Sequence, residues 1–174
     1  MNAPLPARAM LSEDAARRFE REIAKYPPEQ KVSAVIACLA ILQREHGWVS
    51  QESEELVAEA LGMPVIAVHE VTTFYNMYNQ KPVGRFKLNV CTNLPCQLRG
   101  GQHALEHLCS SLQVEEGGTT SDGAITVQKA ECLGACADAP VMLLNDRQML
   151  SFMSDDRLDE LVATLRQATP ANAT

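Results

Sequence analysis

Four cysteines in two short groups carry the chemistry that this sequence could perform. They are Cys91-Thr-Asn-Leu-Pro-Cys96, a C-x4-C spacing, and Cys132-Leu-Gly-Ala-Cys136, a C-x3-C spacing. Each group follows a strand-like run, so each is expected in a loop just after a strand, where backbone can bend round a metal. Four thiolates, two per iron, are what a [2Fe–2S] cluster requires. Either loop can bring both of its sulfurs to one tetrahedral centre, and Pro95 and Gly134 suit the unusual turns this needs. Free N–H groups in the loops could donate to sulfur and tune a redox potential. A cluster on four thiolates is already anionic, and an added electron deepens that charge. In a chain of formal charge −7 a low potential is expected, although salt screens the long-range part.

Two rival readings use the same cysteines. Four thiolates also suit a structural zinc in an interaction module, but zinc loops are usually C-x2-C and these are longer. Thiol–disulfide exchange would use Cys91 and Cys96, with Pro140 ahead of a later strand. Its reactive pair is normally C-x-x-C, and it leaves Cys132 and Cys136 unexplained. The other two cysteines, Cys38 and Cys109, lie on apolar helical faces with no partner at ligand spacing and read as core residues.

Other chemistry-bearing residues have plainer readings. His103 and His107 stand four apart, a spacing that can hold a metal on one helix face, but they read as surface residues. Arg99 either offsets cluster charge or is a solvated arginine. Trp48, Phe74, Tyr75 and Tyr78 read as core and interdomain packing. Glu52, Glu54, Glu55 and Glu59 read as one solvated helix face.

The elements that must position the four cysteines follow from patterning. The chain has 174 residues, 46% hydrophobic and 21% charged, enough for one ordinary domain or two small ones with a core. Its negative charge argues against a nucleic-acid partner, since phosphate contacts need an excess of Lys and Arg. The longest uninterrupted apolar stretch, 34–42, falls short of the ~20 residues of a membrane span, so no direct membrane insertion is expected. The first ten residues lack the apolar core of a secretory signal. Cysteines in such a chain read as ligands or core before they read as disulfides, and a reducing, cytoplasmic compartment is expected.

The first half predicts helices. Ser12 caps one with Ala15, Phe19 and Ile23 inward, ended by Pro27 and Pro28. A second runs over 29–46 with Val32, Val35, Ile36, Leu39 and Leu42 as its stripe, and Gly47 stops it. Ser50 caps a third that ends at Gly62, and Pro64 opens a fourth carrying Val65, Val68, Val71 and Tyr75. A turn signal at 81–84 then marks a change of pattern. Beyond it come strands at 86–91, 125–130, 141–144 and 149–152. Helices fall at 101–112 and from the Ser154 cap onward, and 115–123 reads as a loop. The β-α-β-β-β-α order suits a small thioredoxin-like domain. The expected organisation is α+β: a helical bundle over 12–80, a thioredoxin-like domain over 85–168, and flexible termini at 1–11 and 169–174.

The second half resembles the thioredoxin-like [2Fe–2S] ferredoxin family, through V-C-T-N-L-P-C-Q-L-R-G-G and E-C-L-G-A-C-A-D-A-P in that order. The first half resembles the branch of that family that serves in respiratory complex I, NADH:quinone oxidoreductase. The matching stretches are Y-P-P-E-Q-K-V-S-A-V-I, G-W-V-S and H-E-V-T-T-F-Y-N-M-Y. The resemblance spans 12–167 and departs slightly at His46-Gly47-Trp48, where two glycines are common. It implies one [2Fe–2S] cluster on Cys91, Cys96, Cys132 and Cys136, exchanging single electrons as a side store beside FMN. FMN and NADH would sit on a partner subunit, with a large multi-cluster iron–sulfur subunit also adjoining. The complex would place the chain on the cytoplasmic side of the inner membrane. The chain has no G-x-G-x-x-G of its own after a strand, consistent with NADH oxidation on a partner. Equivalent subunits serve NAD-linked hydrogenases and formate dehydrogenases, an alternative host.

Overall fold

A computed structural model describes residues 11–168, which form two compact units dividing between Pro82 and Val83. The expected flexible termini lie outside these residues except for Leu11, which packs against the core of the first unit.

The first unit is helical. α1 (Glu13–Ile23) starts where the Ser12 side chain accepts the Ala15 N–H at 3.2 Å, the expected cap. Ala15 and Phe19 are buried. The second expected helix is divided. Pro28–Ala34 is a 3-10 turn, with the Gln30 N–H bonded to the Pro27 carbonyl at 2.8 Å, and α2 begins only at Val35 and runs to His46. Within α2 Ile36 stands ~160° round from Cys38 at ~100° per residue, so it and Val32 face outward, while Ala34, Cys38, Leu39, Ile41 and Leu42 fill the core. α3 (Gln51–Leu61) is capped by Ser50, as expected, and α4 spans Val65–Phe74. The stretch after α4 is tied to α2: Gln43 bonds the Met77 carbonyl and the Asn79 N–H, and the Tyr78 hydroxyl donates to the Ile36 carbonyl at 2.9 Å.

Two side-chain expectations fail here. Phe74, at the end of α4, is 79% exposed and Tyr75 is exposed beside it, whereas Tyr78 is in the core and Trp48 half-buried. Glu54 is only 5% exposed, unlike Glu52, Glu55 and Glu59. The Thr72 hydroxyl donates to its carboxylate, and His69 Nδ1 lies 3.0 Å away. Partners on α4 thus allow a carboxylate into the interior.

The second unit is a five-stranded sheet in the order β2-β3-β1-β4-β5. β1 (Phe86–Cys91) and β3 (Ile125–Ala130) are parallel, in register Leu88 with Val127 and Cys91 with Ala130. β4 (Met142–Leu144) and β5 (Gln148–Leu150) continue antiparallel on the other side. β2 (Gly118–Thr119) is a short strand inside the expected 115–123 loop, too brief to carry an alternating pattern. A short helix, α5 (Leu94–Leu98), follows β1, and α6 (Gly101–Leu112) and α7 (Asp155–Gln167) cover one face of the sheet. Leu88, Leu108, Ile125, Met142 and Leu158 are at most 1% exposed, each contributing ~1.5–3 kcal/mol by burial. On the other face, Lys87 and Asn89 are buried and both reach Asp146, the Lys87 ion pair at 2.6 Å. Among the described residues, no helix is long and apolar enough to cross a membrane.

Candidate metal centre

β1 delivers Cys91 as its last residue, held by its N–H to the Val141 carbonyl at 3.1 Å. Cys96 is not in a loop, as spacing suggested, but in α5, with Pro95 in its first turn. Pro is preorganised there and lacks an N–H that would go unused. The chain then turns through Gly100 and enters α6 at once. Gly101 presses on the cysteines: a Cβ there would lie 2.6 Å from the Cys91 carbonyl oxygen and 2.9 Å from that of Cys96. Only a residue without a side chain lets α6 approach so closely.

The second group lies between β3 and β4. Cys132 and Cys136 are exposed, and Gly134 between them takes a left-handed φ of 77° that a Cβ would disfavour. A 3-10 turn over Cys136–Asp138 leads to a cis Ala139–Pro140 peptide and Val141. Cys91, Cys96, Ala139 and Val141 form a small buried apolar cluster against which Leu133 and Ala135 pack. The residues between the second pair of cysteines thereby pack against the cluster that holds the first pair.

The electrostatics of the site centre on Cys96. Burial, and then a hydrogen bond to the Cys91 sulfur, push its thiol up to about 11. Two other groups act on it: the Val141 N–H donates to it and pulls the other way, and Cys136 raises it further. The structure therefore brings Cys91, Cys96 and Cys136 into mutual influence, with Cys132 on the same loop as Cys136. None of the six cysteines is in a disulfide. Cys38 is wholly buried and Cys109 packs partly buried against the sheet core, both as expected.

Sequence reasoning missed two supports. The Val141 N–H donor lies 45 residues from Cys96 in the chain, so spacing could not reveal it. Gly101 was visible in the Gly100-Gly101 pair, but its reason is a close approach that only the fold creates. Arg99 is exposed, its Nε donating to the Ala139 carbonyl at 3.3 Å.

The donor set fits an iron–sulfur group: four thiols in two closely spaced pairs, one pair buried among apolar side chains and the other on a loop that packs against them. A family model for thioredoxin-like [2Fe-2S] ferredoxins matches residues 19–166. A subunit of the NADH-quinone oxidoreductase of Rickettsia prowazekii is 42% identical over 144 residues, covering 82% of this chain and 81% of that one. NADH-quinone oxidoreductase subunit 2 of Thermus thermophilus is 38% identical over 148 residues, covering 85% and 82%. Among solved structures, an NAD+-reducing [NiFe]-hydrogenase in the H2-reduced state superposes with a TM-score of 0.66 at 21% identity. It is matched over 78% of this chain, which spans only 23% of the hydrogenase chain. That likeness concerns the fold alone. The chain belongs to the thioredoxin-like [2Fe–2S] ferredoxin family, and one [2Fe–2S] cluster is its cofactor.

Proposed function

We propose that Cys91 and Cys96 hold one iron and Cys132 and Cys136 the other, and that the chain exchanges single electrons with FMN on a partner subunit that oxidises NADH. The host would be NADH:quinone oxidoreductase, and the chain would contribute no substrate site of its own. The observation that carries the assignment is the packing of Leu133 and Ala135, between the second two thiols, against the small buried cluster that contains Cys91 and Cys96. The names of the relatives above support the host. The domain division proposed with it is a helical bundle over 12–80 and a cluster domain over 85–168.

When bound, the cluster supplies a store for one electron. The chain's own residues set its surroundings. The Val141 N–H donates to Cys96 and draws charge from its sulfur, easing reduction, while burial of Cys91 and Cys96 works against the extra charge. Leu94 and Leu98, exposed on the short helix that carries Cys96, offer a partner an apolar face close to the thiols. Within the complex the chain would be peripheral, on the cytoplasmic side of the inner membrane, with the flavin subunit and the large multi-cluster iron–sulfur subunit as neighbours.

Visible and electron paramagnetic resonance spectra of anaerobically purified protein test the cofactor assignment. Two irons per chain and a rhombic S = 1/2 signal after dithionite reduction are expected, and a colourless zinc protein would overturn it. Co-purification tests the host. A flavin subunit together with proton-pumping membrane subunits supports NADH:quinone oxidoreductase. A nickel–iron catalytic subunit in their place would assign the chain to a hydrogenase instead.

A further inference from the structure

The two histidines that read as surface residues meet two carboxylates that the sequence places far away. His103 and His107 stand one turn apart on α6, and Asp155 and Asp159 one turn apart on α7. His103 Nε2 lies 3.0 Å from both Asp155 oxygens. His107 Nδ1 lies 3.8 Å from Asp155 Oδ2, while its other nitrogen, Nε2, lies 2.8 Å from Asp159 Oδ1. One ligand atom from each of His103, His107 and Asp155 falls within 4.8 Å of the others.

These separations leave room for a metal ion between the three ligand atoms. Bonds of ~2.0–2.2 Å at a tetrahedral angle put neighbouring ligand atoms ~3.3 Å apart, and the observed 3.0 and 3.8 Å bracket that value. The remaining contact has its own meaning. A metal-bound imidazole usually donates its second N–H to a carboxylate, which fixes the tautomer and orients the ring. Asp159 is placed to accept that bond from His107 Nε2, leaving Nδ1 to the metal. The site opens on a cleft of about 530 Å³ whose lining includes Arg99, Gly100, Pro140 and Asp156, so water can complete the coordination. Simple ion pairing would explain one histidine on one aspartate. What favours an ion is that Asp155 Oδ2 is shared, 3.0 Å from His103 Nε2 and 3.8 Å from His107 Nδ1, while Asp159 takes the other nitrogen of His107.

We propose that His103, His107 and Asp155 bind one divalent d-block ion of borderline softness, such as Zn2+, with Asp159 as the outer partner of His107. Two imidazoles and a carboxylate suit such ions, whereas Mg2+ and Ca2+ want all-oxygen sites. A bound ion would pin the start of α6 to the start of α7. That end of α6 is where Gly101 presses on the Cys91 and Cys96 carbonyls.

The test is isothermal titration of Zn2+ into the full chain carrying its cluster, with iron content checked before and after. The expected result is one Zn2+ per chain and iron unchanged. His103→Gln or His107→Gln should remove binding, and Asp159→Asn should weaken it ~10–100-fold, as loss of an outer partner does. His46→Gln, in the helical unit, should bind as the parent does. Far-UV circular dichroism and the cluster's visible bands show that each variant is folded, and Asp155→Asn replaces a histidine variant that is not. No binding by the parent, or binding that survives both histidine changes, overturns the proposal.

Discussion

Gly101→Ala separates a packing constraint from helix propensity, because the two predict opposite signs. Gly101 is the first residue of α6 and has no unusual φ, so propensity alone would make alanine the better residue by up to ~1 kcal/mol. The surroundings say otherwise. The added Cβ would meet the Cys91 carbonyl oxygen at 2.6 Å, the Cys96 carbonyl oxygen at 2.9 Å and the Cys96 carbonyl carbon at 3.0 Å. Relief to an ordinary contact of ~3.4 Å needs a shift of ~0.8 Å against backbone, which has no rotamer to give. Forcing extra carbon into packed surroundings costs ~1–3 kcal/mol, and atoms held by β1 and α5 put this case toward the upper end. After the propensity gain, a net loss of ~1–2 kcal/mol remains. At ~4–8 °C per kcal/mol for a domain of this size, the thermal midpoint should fall by ~4–16 °C. Since the displaced carbonyls belong to Cys91 and Cys96, iron should also leave faster to a chelator. The assay is thermal unfolding followed in the visible bands of the cluster beside far-UV dichroism. A midpoint raised by several degrees, with iron release unchanged, would mean that α6 does not press on the cysteine backbone.

Cys132→Ala should lose or destabilise the cluster, whereas Cys38→Ala should keep it and cost ~1 kcal/mol of core packing; iron content and visible absorption decide, and the reverse outcome sinks the ligand assignment. Burial pushes the Cys38 thiol and the Tyr78 phenol each up to about 12, with lesser contributions from Glu22 at Cys38 and from Tyr75 and Cys38 at Tyr78. Both groups are raised in the folded state, so their stabilisation is complete below the unfolded thiol value, pH ~8.5–9, and is lost as pH climbs toward 12. Urea midpoints read by Trp48, the single tryptophan, should fall above pH ~9; a flat profile to pH ~10.5 contradicts this. Glu54→Ala should destabilise the helical unit by ~1–3 kcal/mol, because the buried Thr72 and the neighbouring His69 lose the carboxylate that joins them, and the same fluorescence measures it. Leu98 is 80% exposed beside Cys96, so Leu98→Glu should leave iron content and thermal midpoint unchanged while weakening capture of the flavin subunit. Equal capture by both forms would remove α5 from the docking face.

What was legible in the sequence was what the chain settles over a few residues. Ser12 and Ser50 cap helices because a hydroxyl reaches an N–H three residues on, and β1 and β3 alternate because a sheet has two faces. The cysteine groups were legible for the same reason, each pair being separated by only three or four residues. The errors also have local causes. The 3-10 turn at Pro28–Ala34 breaks the single helix expected over 29–46, and Ile36 was counted in the apolar stripe although it lies nearly opposite Cys38 on α2. α5 is a single turn with too few residues for periodicity, although Pro95 in its first turn was a start signal in plain view.

The remainder was illegible because it depends on residues brought together by topology. Glu54 reads as one of four solvated glutamates until α4 supplies Thr72, 18 residues on. His103 and Asp155, 52 residues apart, meet only because α6 and α7 lie side by side over the sheet. The metal centre divides along the same line. The four thiols proposed for it are sequence-local, but their surroundings are not: the Val141 N–H acts on Cys96 across 45 residues, and Leu133 and Ala135 pack against the buried cluster that contains Cys91 and Cys96. A cysteine pattern can therefore name the metal chemistry, while the potential and lifetime of the cluster depend on the second set of residues. Substitutions at Gly101 or Leu133, which no ligand spacing would flag, should alter the centre without removing a single sulfur.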